Sequence, residues 1–433
     1  MLPYFKRSED QEGGDRALHG TGGPLGVSDA RISLPVIDAF VAGCGQAGIG
    51  TEGPGHDLNG RSVEGAGLCQ TTTRDGWRCS TATAYLAQRP PNLRIETDCA
   101  VQRVVIETAP DGTKRAAGLE YSRGDGAEAC VATASKEVIV SAGAVGSPHL
   151  LMLSGIGEAA QLEAAGVAVT HDLDAVGKNL QDHLQVRSVY RSRCPTLNDA
   201  VRSPLGLLRM AWEWATRRSG PLTMAPTPAI AFGRTRGADG QPAASRPDVQ
   251  IHFGPWTAKS RQTGLLGMSP FRILDEYSAF TMTTCQLRPR SRGEVRLNPE
   301  APQEAPLLLP RYLSEPEDLA TAVRGLRLTR SVARSAALGS LIEEELSPRP
   351  ELETDAELEE YVRATGESIY HPVGTCAMGS GEAAVVDPRL RVHGVEGLRV
   401  VDASVMPTIV SGNTNAATVM IAEKGADMIL EDA

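Results

Sequence analysis

Glycine and proline limit what this chain can fold into more than any other feature of its sequence. Forty-five glycines and 28 prolines are spread along 433 residues. Both residue types interrupt helices and strands and favour turns, so we expect a loop-rich fold and not a helical bundle. Hydrophobic residues make up 41% of the chain, which is enough for a globular core. A chain of this length holds two or three domains, or two domains that interleave along the sequence.

The net charge and the aromatic content of the chain argue against some classes of binding partner. The formal net charge is −10, whereas binding to phosphates needs clustered lysine and arginine. Aromatic residues are 4% of the chain, which argues against a surface that stacks bases. We therefore predict no nucleic-acid partner. No apolar run reaches the roughly 18 residues that a membrane span needs, so we predict no membrane span.

Eight cysteines are scattered along the sequence, with no Cys-x-x-Cys pair and no close group of cysteine and histidine: Cys44, Cys69, Cys79, Cys99, Cys130, Cys194, Cys285 and Cys376. This spacing predicts no metal site and no disulfide framework. The first residues, MLPYFKRSEDQEGG, lack the apolar segment of a signal peptide. A reducing, cytoplasmic location is therefore expected.

Local patterns predict both strands and helices. Strand-like runs are found at residues 93–97, 101–108, 116–122, 136–144 and 398–403. Helical patterns occupy residues 31–48, 205–218 and 416–430, and a short helix is predicted to begin at Ser147-Pro148. Two further helices are expected after the capping boxes Ser314–Glu317 and Thr354–Glu357. The remainder of 195–275 is expected to be irregular.

Residues 43–48 spell G-x-G-x-x-G, a pattern that can bind dinucleotides. The pattern has that meaning only when it follows a strand and opens a helix, so that free amides face a pyrophosphate. Here a helical segment precedes it and a loop rich in glycine and proline follows it. The end of a helix running into a loop is therefore the preferred interpretation.

His371 is the first candidate for catalysis. It lies in YHPVGTCAMG, beyond a predicted helix and beside a proline that restricts the backbone. A histidine in such a loop can act as a general base, because its ordinary pKa is close to neutral. The alternative is a histidine that only bonds a backbone carbonyl. For a single histidine without other signals, this alternative is the more common case.

A second signal is the segment Ser411-Gly412-Asn413-Thr414-Asn415, which precedes the last predicted helix. Small polar residues there leave the first amides of the helix free, and a helix N-terminus carries about half a positive charge. Such a terminus stabilises an anion such as a reduced flavin ring. The alternative is ordinary capping of the helix by asparagine.

Several motifs, in order, closely resemble those of the glucose-methanol-choline oxidoreductases, and in particular their choline-dehydrogenase-like branch. The C-terminal signature is carried by YHPVGTCAMG, VVDPRLRVHGVEGLRVVDASVMP and SGNTNAATVMIAEKGADMIL. Earlier matches are LPYFKRSED, GWRCSTATAYL, GAVGSPHLLMLSGIG, VGKNLQDH and LRPRSRGEV. The match extends over essentially the whole chain, and a set of motifs in order is more specific than any one of them.

The resemblance implies FAD as the cofactor and gives seven residues a role. His371 matches the base beside the flavin N5, and Asn413 matches the residue that holds the substrate oxygen. The cofactor would be contacted at the adenine by the backbone of Val101, at the ribityl and phosphate groups by Asp402 and Ala403, and at the pyrimidine edge by Thr414 and Asn415.

The resemblance also implies an α/β fold. A Rossmann-like FAD-binding domain would combine residues 87–175 and 376–433, and it would be interleaved with an α+β substrate domain on an antiparallel sheet at 176–375. Residues 1–86 would be the rest of an N-terminal region. Members of the family begin with a strand, a G-x-G-x-x-G loop and a helix, which would precede Met1. We therefore expect an incomplete FAD domain that holds FAD poorly by itself.

The reaction implied by the resemblance is oxidation of a primary alcohol to the aldehyde, with hydride transfer to flavin N5. Oxygen or a quinone would then accept the electrons. Two alternatives stay open: a truncated, flavin-free inactive product, and a lyase of the same family that does not use redox chemistry. A hydrolase is not expected, because G-x-S-x-G is absent. Neither the alcohol nor the oligomeric state follows from the sequence.

Overall fold

A computed structural model describes residues 1–50, 56–124, 128–237, 239–258 and 274–432. Its α-helices, in chain order, are α1 Leu2–Ser8, α2 Pro35–Gln46, α3 Thr81–Tyr85, α4 Gly143–Leu153, α5 Ala159–Ala164, α6 Leu197–Arg202, α7 Pro204–Arg217, α8 Pro316–Ala333, α9 Ala336–Gly339, α10 Asp355–Thr365 and α11 Asn415–Asp432. Short 3₁₀ helices are formed by Pro221–Thr223 and Ala403–Val405.

The strands, in chain order, are β1 Glu9–Gln11, β2 Leu25–Asp29, β3 Gly65–Leu68, β4 Gln70–Thr71, β5 Thr73–Arg74, β6 Trp77–Arg78, β7 Cys99–Thr108, β8 Lys114–Arg123, β9 Glu128–Thr133, β10 Val138–Val140, β11 Ile156–Gly157, β12 His171–Asp172, β13 Leu184–Ser192, β14 Ala229–Gly233, β15 Val249–Gly254, β16 Ala279–Gln286, β17 Glu294–Arg296, β18 Leu307–Leu309, β19 Ile342–Ser347, β20 Glu367–Ser368 and β21 Leu398–Val400. The mixture of helices, antiparallel sheets and three parallel strand pairs agrees with the predicted α/β class.

The largest sheet has seven strands in the order β19-β13-β16-β15-β14-β3, with β20 beside β13, and its pairs are antiparallel. One face is apolar and packs against α2, where the rings of Phe40 and Phe253 stack with centroids 4.7 Å apart. Because side chains alternate along a strand, the other face of β15 carries Gln250 and His252. Both of these polar side chains are buried. The sheet therefore has one hydrophobic face and one buried polar face.

Two of these central strands, β14 and β15, lie in the stretch that was expected to be irregular, and that expectation was wrong. All residues of both strands are buried. In β14, AIAFG, no polar side chain alternates with the apolar ones, so its sequence lacks the pattern that marks a strand near the surface. Long-range pairing with β16 and β3 therefore decided the structure of this segment. In contrast, the predicted strand at 93–97 does not form.

A second, smaller unit of structure is organised around the parallel pair β10-β21. This pair connects two regions that are distant in sequence, with Val138 opposite Leu398 and Val140 opposite Val400. A single apolar cluster surrounds it and extends from Val104 to Ile421. The antiparallel sheet β7-β8-β9 lies in the first of these two regions. The domain boundaries given above stay a prediction.

Helix α4 begins at Gly143, four residues before the predicted start, and Pro148 is inside it. Proline has no amide hydrogen, so it cannot bond the carbonyl of Ala144 one turn earlier. The hydroxyl of Thr375 donates to that carbonyl instead, at 2.6 Å. The same hydrogen bond fastens the loop that contains His371 to α4.

The two predicted capping boxes had different outcomes. Thr354 and Glu357 form the predicted box, with each side chain accepting from the other residue's backbone amide. The box at Ser314–Glu317 does not form, because α8 begins at Pro316 and its N-cap Glu315 makes no side-chain cap. Instead, the amide of Glu315 donates to Ser291 across the chain. A tertiary contact thus replaces the local cap.

The G-x-G-x-x-G segment lies at the end of α2 and in the turn that follows, as the preferred interpretation has it. At Gly43, an added Cβ would lie 2.6 Å from the hydroxyl oxygen of Ser335. Glycine there permits close contact between α2 and the chain just before α9. Among the described residues, no helix is both long enough and apolar enough to cross a membrane.

Candidate active site

The loop that contains His371 is held against a distant segment of the chain. Residues 369–373 run antiparallel to 181–183: the amide of Ile369 donates to the carbonyl of His183, and Val373 and Gln181 exchange two backbone bonds. Tyr370 adopts a φ of 66°, which is unfavourable for a residue other than glycine. This backbone pairing brings His371 next to His183, although the two are far apart in sequence.

A buried carboxylate, Asp182, fixes both histidines at their backbones. Its Oδ1 accepts from the amide of His183 at 2.8 Å and from the amide of His371 at 2.9 Å. Its Oδ2 accepts from the hydroxyl of Tyr312 at 2.5 Å and from the hydroxyl of Ser368. Four hydrogen-bond donors therefore converge on the carboxylate of Asp182, which holds the loop of His371 against the segment of His183.

We expect Asp182→Ala to lower the free energy of unfolding by about 2–4 kcal/mol. The substitution leaves the buried donors that had bonded the carboxylate without an acceptor. Asp182→Asn should lose less than half as much. An amide oxygen can still accept from both backbone amides, and the hydroxyls of Tyr312 and Ser368 can reverse to accept from its NH₂ group. Urea unfolding of the three proteins measures the difference. Equal losses in the two variants would contradict this account of Asp182.

A line of side chains crosses the site. His183 Nε2 lies 3.1 Å from the carbonyl of Leu287, and its Nδ1 lies 3.1 Å from Nδ1 of His371. The amide nitrogen of Asn413 is 3.3 Å from His371 Nε2, and its oxygen accepts from Gln250 at 3.1 Å. The structure therefore brings the two predicted catalytic residues, His371 and Asn413, into direct contact.

The side-chain oxygen and nitrogen of Asn413 bond Gln250 and His371, both of which lie outside α11. This is a different arrangement from helix capping, in which the asparagine oxygen accepts from an amide of that turn. Asn415 and Ala416, at the start of α11, are exposed. The beginning of the helix thus lies beside His371 with its side available to a ligand.

Four side chains of the site were not among the residues predicted from the sequence: Asp182, His183, Gln250 and His252. Gln250 and His252 are two residues apart on β15 and share its polar face. The buried ring of His252 lies close to the backbone of Thr283 on the adjacent strand β16. The alternation of apolar and polar residues in VQIHFG was the signal that could have identified this strand and its inward polar face.

Burial controls the charge of the three histidines. It lowers the pKa of His371, although the nearby carboxylate of Asp182 acts in the opposite direction. Burial and the proximity of His371 lower the pKa of His183 to about 4. Burial, together with the two other histidines, lowers the pKa of His252 to about 3. His183 and His252 are therefore neutral near pH 7, and a neutral His371 can accept a proton.

The positions expected to contact the cofactor lie on two parts of the smaller unit. The carboxylate of Asp402 is used internally: it accepts from the amides of Gly143 and Ser404 and from the hydroxyls of Ser147 and Ser404. A ligand would therefore meet the backbone at Asp402 and Ala403. Val101 is exposed, on β7 at the edge of its sheet and next to an irregularity in the pairing. Thr414 and Asn415 are at the start of α11.

These residues fit a flavin in the chemistry of their donors. The first turn of α11, in which Asn415 and Ala416 are exposed, supplies backbone amides and the positive end of a helix dipole, which favour negative charge. His371 and Asn413 lie beside that turn. At Gly143, where α4 begins, an added Cβ would meet no atom within 4 Å, so the backbone there is open to a ligand.

Two family models described as GMC oxidoreductase match the chain, at residues 1–185 and 289–422. The alcohol dehydrogenase [acceptor] of Pseudomonas putida is 38% identical over 98% of this chain and 74% of its own length. The mitochondrial choline dehydrogenase of Homo sapiens is 39% identical over 99% of this chain and 69% of its own length.

Solved structures agree with the sequence comparisons. Pyridoxine 4-oxidase from Mesorbium loti has a TM-score of 0.81 and 29% identity, over 99% of this chain and 76% of its own. A formate oxidase of Aspergillus oryzae, from work on FAD modification, has a TM-score of 0.86 and 25% identity, over 100% of this chain and 78% of its own. The chain thus belongs to the GMC oxidoreductase family of flavin-dependent alcohol oxidoreductases.

Proposed function

We propose that this protein oxidises a primary alcohol to the aldehyde with FAD as its cofactor, in the manner of a choline dehydrogenase. The observation that carries the proposal is the contact between Asn413 Nδ2 and His371 Nε2, 3.3 Å apart, beside the start of α11. A base and a hydrogen-bond donor at this separation can share one oxygen atom. The pair can then both remove the proton and stabilise the oxygen.

His371 would remove the hydroxyl proton through Nε2. The amide of Asn413 would donate to the substrate oxygen as negative charge develops there, and Gln250 would hold that amide in place. The flavin, when bound, supplies the acceptor for the hydride that leaves the carbinol carbon.

The roles of the cofactor-binding residues belong to this proposal. The backbone of Val101 would contact the adenine, and the backbone at Asp402 and Ala403 would contact the ribityl and phosphate groups. Thr414, Asn415 and the first turn of α11 would lie along the pyrimidine edge. Oxygen or a quinone would accept the two electrons at the end of the cycle.

The proposal predicts that primary alcohols remove the visible absorbance of the flavin-loaded protein under anaerobic conditions, with one aldehyde formed per flavin. A tertiary alcohol is the control, because it has no hydrogen on its carbinol carbon to transfer. Absorbance spectra and aldehyde analysis on the same samples make the measurement. Conversion of substrate without any bleaching would instead support the non-redox lyase.

A further inference from the structure

His183 has a partner at each of its ring nitrogens, and these partners determine where its hydrogen lies. The carbonyl of Leu287, 3.1 Å from Nε2, can only accept a hydrogen bond. Nε2 of His183 must therefore carry the hydrogen. The ring is fully buried, and burial holds its pKa at about 4. His183 is thus neutral near pH 7, and its Nδ1 has a lone pair and no hydrogen.

The position of the hydrogen on His183 determines the position of the hydrogen on His371. Its Nδ1 lies 3.1 Å from Nδ1 of His183, and the ring planes are 83° apart. One hydrogen must lie between these two nitrogens for a bond to form. Because Nδ1 of His183 has none, Nδ1 of His371 supplies it. A neutral His371 then has its lone pair on Nε2.

The contacts of Asn413, on the other side of His371, independently require the same position of the hydrogen on His371. Gln250 donates to the oxygen of Asn413, so the NH₂ group of Asn413 is the part that faces His371 Nε2. A donor at this position requires a lone pair on Nε2. With the other tautomer, two N–H groups would face each other at Asn413, and two lone pairs would face each other at His183.

We propose that His183 is a positioning residue that fixes His371 in the Nδ1–H tautomer, with the Nε2 lone pair directed at the substrate oxygen. The inference rests on the proposed function only in taking Nε2 as the atom that receives the substrate's proton. His183 continues to accept from Nδ1 after His371 is protonated, so the bond between the two histidines is kept during proton transfer, whereas Nε2 then no longer accepts from Asn413.

The direct test is ¹⁵N NMR of protein labelled in its eight histidines, since protonated and unprotonated ring nitrogens resonate in separate ranges. His371 is assigned by the resonances lost in His371→Asn. We expect Nδ1 of His371 and Nε2 of His183 to carry the hydrogens in the wild type. A hydrogen on Nε2 of neutral His371 would overturn the proposal whatever the activity of the protein.

Variants of His183 provide the second measurement. His183→Leu removes the acceptor, so His371 should shift toward the Nε2–H tautomer and turnover should fall about tenfold or more, with little change in KM. His183→Gln keeps a donor for Leu287 and an acceptor for His371, so it should retain the Nδ1–H tautomer. His393→Leu is the matched control, because His393 also bonds a backbone carbonyl, that of Gly379, and should leave His371 unchanged.

These measurements separate the tautomer from the proposed reaction. If His371 shows the Nδ1–H tautomer but His371→Ala remains fully active, the proposed function fails and the assignment of the hydrogens stands. If His371 stays in the Nδ1–H form in folded His183→Leu, His183 does not set the tautomer.

Discussion

Replacing His371 with alanine should lower turnover of the flavin-loaded protein by about 10²–10⁴, the usual loss when a general base is removed. The amount of bound flavin should not change, because the backbone amide that holds the loop to Asp182 is kept. Steady-state kinetics and visible absorbance measure the two quantities on the same preparation. The effect should appear in turnover, since proton removal occurs only in the transition state.

The pH dependence of the wild type gives an independent check of the same residue. A base must be unprotonated to act, so the rate should rise with pH through the pKa of His371. Burial lowers that pKa, and the rise should therefore occur below the ordinary histidine value of about 6.5. His371→Ala should lose this rise.

His149→Ala is the matched control for His371→Ala. His149 bonds the carbonyl of Pro302 through Nε2 and makes no described contact with His371. It should keep wild-type turnover and the wild-type pH profile. An equal loss of activity in the two variants, or a loss of flavin in parallel with activity in His371→Ala, would mean that the role of His371 is structural.

Asn413→Ala should lower turnover by about 10²–10³, with a smaller effect on KM, because the missing hydrogen bond is strongest as the substrate oxygen becomes anionic. The stability of the protein should change little in comparison with this loss. Asn413 does not cap α11, so the loss of about 0.5–2 kcal/mol that follows removal of a cap is not expected. Kinetics and thermal unfolding are measured on the same variants.

Asn413→His should have activity between that of alanine and that of wild type. An imidazole can donate toward His371 from one nitrogen and accept from Gln250 at the other, as the asparagine amide does. Asn298→Ala is a suitable control, since among the described residues the side chain of Asn298 bonds only the amide of Glu300, in a turn after β17. If the two Asn413 variants differ from wild type only in melting temperature, the residue does not act on the substrate.

Sequence information was sufficient where the determining interactions are local. The capping box of Thr354 and Glu357 and the periodic pattern of residues 31–48 identified helices that the structure contains. The motifs around His371 and Asn413 identified the family and two residues that prove to be in contact. Each of these signals is contained within a short segment of sequence, so it can be recognised without knowing what packs against that segment.

Only the tertiary structure decided the rest of the site. Asp182 bonds the amide of His371 across 189 positions of sequence, and no local pattern specifies that pairing. Strand β14 was missed because its burial depends on neighbours brought from elsewhere in the chain. The tautomer of His371 follows from two contacts, one with His183 and one with Asn413, that exist only after folding. The sequence determined which side chains are present, and folding determined which atoms of those side chains face one another.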